Sequence, residues 1–159
     1  MARAGRIVDA RRVPGAVVAH VSSSVNRDTS DGEPLELLNT SVLLYADLVY
    51  EFEAWVRIRH MDSGVDDRGR VGTAMINIDG VIVQIGRSAT NAQTNATAQA
   101  TAIFTKQPRW TPMSTGVHQL QLTGERSGAS NWAGHLEFRG TGGPHFEYWM
   151  SCKVVGIVE

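Results

Sequence analysis

The segment Tyr50-Glu51-Phe52-Glu53-Ala54-Trp55-Val56-Arg57-Ile58 decides the fold class of this chain. Apolar side chains occupy every second position, and the positions between them carry two glutamates, a tryptophan and an arginine. Side chains on a β-strand alternate between two faces, so this period of two predicts a strand with one buried face and one polar face. We expect Phe52 and Val56 to point into a core and Glu51 to be exposed.

A tight hairpin is predicted further along the chain. Met75-Ile76-Asn77-Ile78 and Val81-Ile82-Val83-Gln84-Ile85 are separated by the two residues Asp79-Gly80. An Asp-Gly pair between β-branched runs is a strong sequence signal for a two-residue hairpin turn. Similar patterns bring the predicted total to about nine strands, the others being 17–25, 41–45, 101–105, 117–123, 132–138 and 146–158.

Turn-forming residues separate these strands, and no stretch predicts an amphipathic helix. The alanine-rich region 89–102 contains several threonines and asparagines, which lower its helix propensity, so we predict a loop that leads into a strand. Short strands without alternating helices predict an all-β fold: an antiparallel β-sandwich, jelly-roll-like, with residues 16–159 in the sandwich and 1–15 as a basic arm. Turns are predicted at 28–34, 61–70, 108–116, 124–131 and 140–144.

Composition narrows the classes of function. The chain has 159 residues and a formal net charge of −1, which suits one domain and disfavours nucleic-acid binding. No apolar run approaches the roughly 20 residues of a membrane-spanning helix, and we expect no export signal. The single cysteine, Cys152, alternates with Met150 and Val154, so we expect a buried core thiol, with a reducing compartment as the best fit.

Charge is distributed unevenly along the chain. Arg3, Arg6, Arg11 and Arg12 lie near the amino terminus, whereas 28–53 contains seven acidic residues and no basic one. The two segments can meet within one copy or between copies, and a solvated tail is the third alternative. We expect residues 1–12 to extend onto another subunit, so that a truncation starting near Val13 folds normally but fails to assemble.

Two groups of residues have side chains of the kinds that bind metal ions. His118 and His135 are sheet neighbours if the predicted strands pair in one order, and Asp62, Asp66 and Asp67 share an oxygen-rich loop. For the two histidines, the alternative is that they are ordinary strand residues with hydrogen bonds at the surface. A solvated charged loop explains the second group, because Arg68 and Arg70 compete for its carboxylates and Thr73 stands where an EF-hand has glutamate. We predict no metal site and no cofactor.

Catalytic patterns are also missing from the sequence. There is no Gly-x-Ser-x-Gly turn, and no recognisable triad of nucleophile, base and acid. Glu51 and Glu53 share a strand face, as a glycosidase pair would, but Arg57 and Arg59 on that face favour a salt-bridged surface. We predict that the protein is not an enzyme and has no catalytic residues.

Tryptophans supply the remaining candidates. Trp55 lies on the polar face of its predicted strand, Trp149 lies near the carboxyl end, and exposed tryptophans bind sugars or anchor subunit interfaces. The alternative is that they cap the ends of the core. We expect another chain to bury at least one of the two. The candidate partner-binding residues are therefore Arg3, Arg6, Arg11, Arg12, Trp55 and Trp149.

Several segments spread along the chain carry a family resemblance. They are Ala16-Val17-Val18-Ala19, Tyr50-Glu51-Phe52-Glu53-Ala54-Trp55, Asp79-Gly80, Ala102-Ile103-Phe104-Thr105, Ser114-Thr115-Gly116-Val117-His118-Gln119-Leu120-Gln121-Leu122 and Val154-Val155-Gly156-Ile157. Through them the chain resembles β-sandwich virion proteins of tailed bacteriophages that infect actinobacteria, among them capsid decoration and minor tail proteins. The resemblance implies assembly rather than catalysis, and it does not include the arginine-rich arm.

The resemblance implies a capsid decoration (cement) protein that binds the capsid lattice as a homo-oligomer, with a trimer favoured. Its expected partner is the major capsid protein or another virion protein, with no nucleic acid and no membrane. We expect it at the capsid surface rather than the tail, after synthesis in the host cytoplasm. The alternatives are a minor tail or fibre protein that binds host-surface glycans and a cellular carbohydrate-binding β-sandwich module.

Overall fold

Antiparallel strands make up most of the computed structural model, which describes residues 10–29, 34–61, 70–90, 101–106, 109–127, 135–138 and 147–158. A short 3-10 helix at Ala10–Arg12 precedes them. Within these ranges no helix has the length and hydrophobicity needed to cross a bilayer. The strands are β1 (Val17–Ser23), β2 (Arg27–Thr29), β3 (Leu35–Leu44), β4 (Leu48–Met61), β5 (Arg70–Ile78), β6 (Val81–Thr90), β7 (Thr101–Lys106), β8 (Gly116–Ser127), β9 (His135–Phe138) and β10 (Tyr148–Ile157).

The strands form two sheets. Sheet A contains β1, β10, β4, β9 and β2 in that order, and β7 also pairs with β4. Sheet B has the order β3, β8, β5, β6. The long strand β4 pairs with β10 along its first half and with β9 near its end. In turn, β1 pairs with β10, and β2 pairs with β9. Sheet A is therefore four strands wide.

This arrangement is a jelly roll. If β1 and β2 are counted as one interrupted strand, and β9 and β10 as another, the chain has eight strands. Numbered 1 to 8 along the chain, these strands have the order 1-8-3-6 in sheet A and 2-7-4-5 in sheet B. That order describes an eight-strand, two-sheet sandwich made from two Greek keys. The predicted fold class, an antiparallel jelly-roll-like sandwich, is confirmed.

The core lies between the two sheets. On β4, the residues Tyr50, Phe52, Ala54, Val56 and Ile58 are all buried, as the alternating segment predicted. They face buried leucines and isoleucines of β8 and β5. On β10, Cys152 is also buried, and desolvation raises the pKa of its thiol to about 12. The expected core thiol is therefore confirmed.

The sequence-based strand assignment was wrong in several places, among them the first half of β5 and the second half of β6, which were not predicted as strand. Arg27–Thr29, which overlaps a predicted turn, is a strand held by its pairing with β9. The first half of β3 was missed because a register shift between Glu36 and Leu38 lets two adjacent leucines enter the core and breaks the alternation. Gly124 begins no turn, because β8 continues to Ser127. Predicted features at 62–69, 91–100, 128–134 and 139–146 lie outside the described residues.

Candidate functional site

Several connections between strands meet at one end of the sandwich, which we call the loop end. It comprises the β3–β4 turn (45–47), the β5–β6 turn (79–80), the 109–115 loop and the carboxyl end of β10. The N–H of Val158 donates to the carbonyl of Asp47 at 3.0 Å, and the N–H of Ala46 donates to Thr115 Oγ1 at 2.9 Å. These hydrogen bonds tie the connections to one another.

His118 joins the β5–β6 turn to the 109–115 loop. Its Nδ1 lies 2.7 Å from Asp79 Oδ2, and its Nε2 lies 3.2 Å from the carbonyl oxygen of Ser114. Asp79 adopts a φ of 51°, and its second carboxylate oxygen accepts a hydrogen bond from the N–H of Gln119 at 2.8 Å. Aspartate is among the few residues that tolerate this backbone conformation, which explains its place in the turn.

Asp79 makes the stability of the loop end depend on pH. Hydrogen bonds from the Gln119 N–H and the His118 ring hold the pKa of Asp79 below its ordinary value of 3.8. Because this pKa is lower in the folded chain, the contribution of Asp79 is complete above the unfolded-state pKa and is lost as the pH falls through the folded-state pKa. We expect the Asp79→Asn variant to lose stability less steeply with acid, as measured by urea unfolding at a series of pH values.

The exposed Glu147, which lies outside the loop end, gives the control for this measurement. Glu147→Gln should keep the acid dependence of the parent protein. An acid dependence of Asp79→Asn identical to that of the parent would refute the assignment.

Trp110 fixes the 109–115 loop to the core. It exchanges two backbone hydrogen bonds with Tyr50, at 2.8 and 2.9 Å. Its ring packs edge-on against Phe52, with 6.0 Å between ring centroids, and against His118, with 5.9 Å. Trp110 is therefore a structural tryptophan that caps one end of the core.

Exposed apolar side chains concentrate at the loop end. Among the described residues, the three most exposed large hydrophobic ones are Met113, which is fully exposed, Val117 at 73% and Val81 at 65%. Of the ten exposed large hydrophobics in the described ranges, five lie within two residues of the contacts just described: Val81, Met113, Val117, Ile157 and Val158. Single exposed apolar residues are ordinary, but their concentration on one surface is typical of an interaction site.

The basic arm begins at this same end. The Arg12 guanidinium pairs with the carboxylate of Asp47 and lies over the Tyr45 ring, 4.7 Å from its centroid. The N–H of Gly15 donates to the carbonyl of Val154 at 2.7 Å, and Ala16 accepts a hydrogen bond from the N–H of Val154. These contacts hold the root of the arm on its own sandwich.

Arg12 has a carboxylate partner in its own chain, and a contact of the arm with another subunit stays a prediction. The acidic stretch of its own chain supplies the partner, because the 3-10 turn brings the arm back beside the β3–β4 turn. Arg11 lies in the same turn. Arg3 and Arg6 lie outside the described residues, so their partners stay a prediction.

The outer face of sheet A carries the second group of candidate residues. Trp55 on β4 and Trp149 on β10 are direct register partners, so the two predicted tryptophans lie side by side. Both are half-buried within their own chain. The ring of His20, on β1, lies 5.8 Å from that of Trp149, measured between centroids. We call these three residues the aromatic face, and its burial by another chain stays a prediction.

A charged cluster lies beside the aromatic face. Lys153 Nζ is 3.0 Å from Glu51 Oε2 and 3.0 Å from Glu53 Oε1. These hydrogen bonds raise the pKa of Lys153. The expected salt-bridged surface is present, and Lys153 is the cation that joins the two glutamates. The sequence pattern of β4 did not reveal Lys153, because it belongs to a neighbouring strand 100 residues from Glu53.

The suggested histidine pair was wrong. His118 lies on β8 in sheet B opposite Val42, whereas His135 lies on β9 in sheet A opposite Met61. No cluster of three or more metal-ligating side chains occurs in the described ranges. The acidic loop with Asp62, Asp66 and Asp67 falls outside them.

No protein-family model and no curated protein matches the sequence.

Proposed function

We propose that this chain is a non-enzymatic structural protein of a bacteriophage virion, a decoration protein that docks on the capsid lattice as an oligomer. The observation that supports this proposal best is the concentration of exposed apolar side chains at the loop end, beside the root of the basic arm. Jelly rolls are common in viral capsid proteins, and they also occur in lectins. The family resemblance favours the first of these settings.

Two forces would hold the loop end on its partner. Burial of an exposed valine or methionine contributes about 1.5–3 kcal/mol, so Met113, Val117 and Val81 together provide a useful apolar anchor. The arginines of the arm add attraction to an acidic surface of the lattice protein, which salt screens over roughly 8 Å at physiological ionic strength. Docking should therefore weaken in high salt without being abolished.

The aromatic face favours one alternative, a minor tail or fibre protein that binds host-surface glycans, since exposed tryptophans stack on sugars. A cellular carbohydrate-binding sandwich would use the same residues. Antibody labelling of purified virions separates the three: label on heads supports decoration, label on tails supports the fibre protein, and a source without virions supports the cellular module.

Substitutions at the loop end test the docking surface. We expect the double variant with Met113→Asp and Val117→Asp to bind particles that lack the protein about tenfold or more weakly. Each substitution would place a charged carboxylate in an apolar interface. Folding should be unaffected, since both residues are exposed. Co-sedimentation with the particles measures the binding.

Ile85→Asp is the matched control, because Ile85 is also exposed but lies on β6 away from the loop end. Deletion of residues 1–9 keeps the Arg12–Asp47 pair and tests the arm separately. The shortened chain should bind less at low salt and should depend less on salt. Equal particle binding by the double variant, the Ile85 variant and the parent would contradict docking through the loop end.

A further inference from the structure

We infer that the aromatic face is a binding site for a neutral saccharide, which stacks on Trp55 and Trp149. This activity goes beyond the proposed docking function, because a decoration protein attached through its loop end needs no glycan ligand. The loop end and the aromatic face involve different residues, so one chain can use both.

The strand register builds the stacking platform. Directly opposed residues of an antiparallel pair have Cβ atoms about 4.5–5.5 Å apart, so Trp55 and Trp149 present neighbouring indole rings. The two strands that carry them, β4 and β10, each have a partner strand on both sides. Both tryptophans are half-buried, and His20 packs beside Trp149. This partial burial restricts both side chains before any ligand arrives, which reduces the entropy lost on binding.

Polar groups border the platform on one side. Residues two positions apart on a strand point to the same face and lie about 6.6 Å apart. Glu53 has this spacing from Trp55, Ser151 has it from Trp149, and the two are register partners. His20 is the partner of Ser151 on the next strand. A sugar ring stacked on an indole would therefore have a hydroxyl, a carboxylate and an imidazole beside its own hydroxyl groups. Lys153 holds the Glu53 carboxylate in place at 3.0 Å.

Charge selects the class of sugar. Along this face, the described side chains include two carboxylates, Glu51 and Glu53, and two cations, Lys153 and Arg57. Lys153 is already engaged by both glutamates. The charges of these described side chains balance, and the Glu53 carboxylate beside the tryptophans disfavours a uronic or sialic acid. Neutral hexoses and N-acetylhexosamines fit this balance.

Titration with defined oligosaccharides tests the inference. The full-length protein is titrated calorimetrically with cellohexaose, chitohexaose and mannohexaose, which differ in linkage and in substituents. We expect at least one of them to bind. Trp55→Ala and Trp149→Ala should each weaken that binding about tenfold or more, and the phenylalanine variants, which keep a stacking ring, should recover part of it.

Trp110→Phe is the matched control, because Trp110 lies at the loop end and packs on Phe52. It should bind the sugar as the parent does, as should the loop-end variant with Met113→Asp and Val117→Asp. Conversely, Trp55→Phe should dock on particles normally, so failure of docking and failure of sugar binding are distinguishable.

Three results would overturn the inference. One is the absence of binding by all three hexasaccharides at millimolar concentration. Another is sugar binding that is the same in the parent and in the folded Trp55 and Trp149 variants. If sedimentation showed instead that these variants dissociate an oligomer that binds no sugar, the aromatic face would be a subunit contact and the saccharide site would be excluded.

Discussion

Replacement of Gly124 with alanine is expected to destabilise the sandwich by about 2–3 kcal/mol. A Cβ atom at this position would lie 2.4–2.8 Å from three carbons of the Phe138 ring. Phe138 is fully buried and belongs to the opposite sheet, so the ring cannot move aside without disturbing the core. Chemical denaturation of the variant, with parent and variant compared at constant m-value, measures the loss.

Gly116→Ala on the same strand is the control, because no atom lies within 4 Å of the added methyl group. It should change stability by less than about 0.5 kcal/mol. A smaller residue at position 138 should also relieve the clash, so Phe138→Leu should cost less in the Gly124→Ala background than in the parent. Equal stability of the two glycine variants would show that β8 and β9 are not packed as described.

Replacement of Phe52 with alanine is expected to cost about 3–5 kcal/mol, a large share of the stability of a domain. Phe52 has no exposed surface, and its ring contacts Trp110, which holds the 109–115 loop. The cavity should therefore loosen the loop end as well as the core. Urea unfolding measures the first effect, and faster amide exchange in residues 109–115 would report the second.

Glu51→Gln provides the comparison on the neighbouring position of β4. Glu51 lies on the outer face as predicted, but it is half-buried rather than exposed. The substitution keeps the side-chain volume and leaves Lys153 its second partner, Glu53, so a cost of about 1 kcal/mol is expected. Similar losses for the two variants would mean that the facing of β4 is reversed, since a shift of one residue exchanges the two faces of a strand.

The two candidate surfaces call for separate experiments. The loop end lies at the connections between strands, whereas Trp55 and Trp149 lie within paired strands on the outside of sheet A. Variants of one surface should leave the other intact. Particle binding and saccharide binding can therefore be assigned to their residues independently.

The amino-acid sequence by itself determined the strand character and the inward residues of β4, the hairpin around Asp79-Gly80 and the burial of Cys152. These features are local: alternation along one strand states which side is apolar, and an Asp-Gly pair suits a turn with positive φ whatever surrounds it. The absence of helical periodicity was sufficient to predict a sandwich.

Tertiary structure alone decided which residues meet. Arg12 reaches Asp47 across 35 residues of sequence, His118 reaches Asp79 across 39, and Lys153 reaches Glu53 across 100. The pairing of Trp55 with Trp149 depends on the register of two strands, β4 and β10, that are far apart in the sequence. Pattern within a strand specifies its faces but not its neighbours, because the order of strands is set by packing of the whole core.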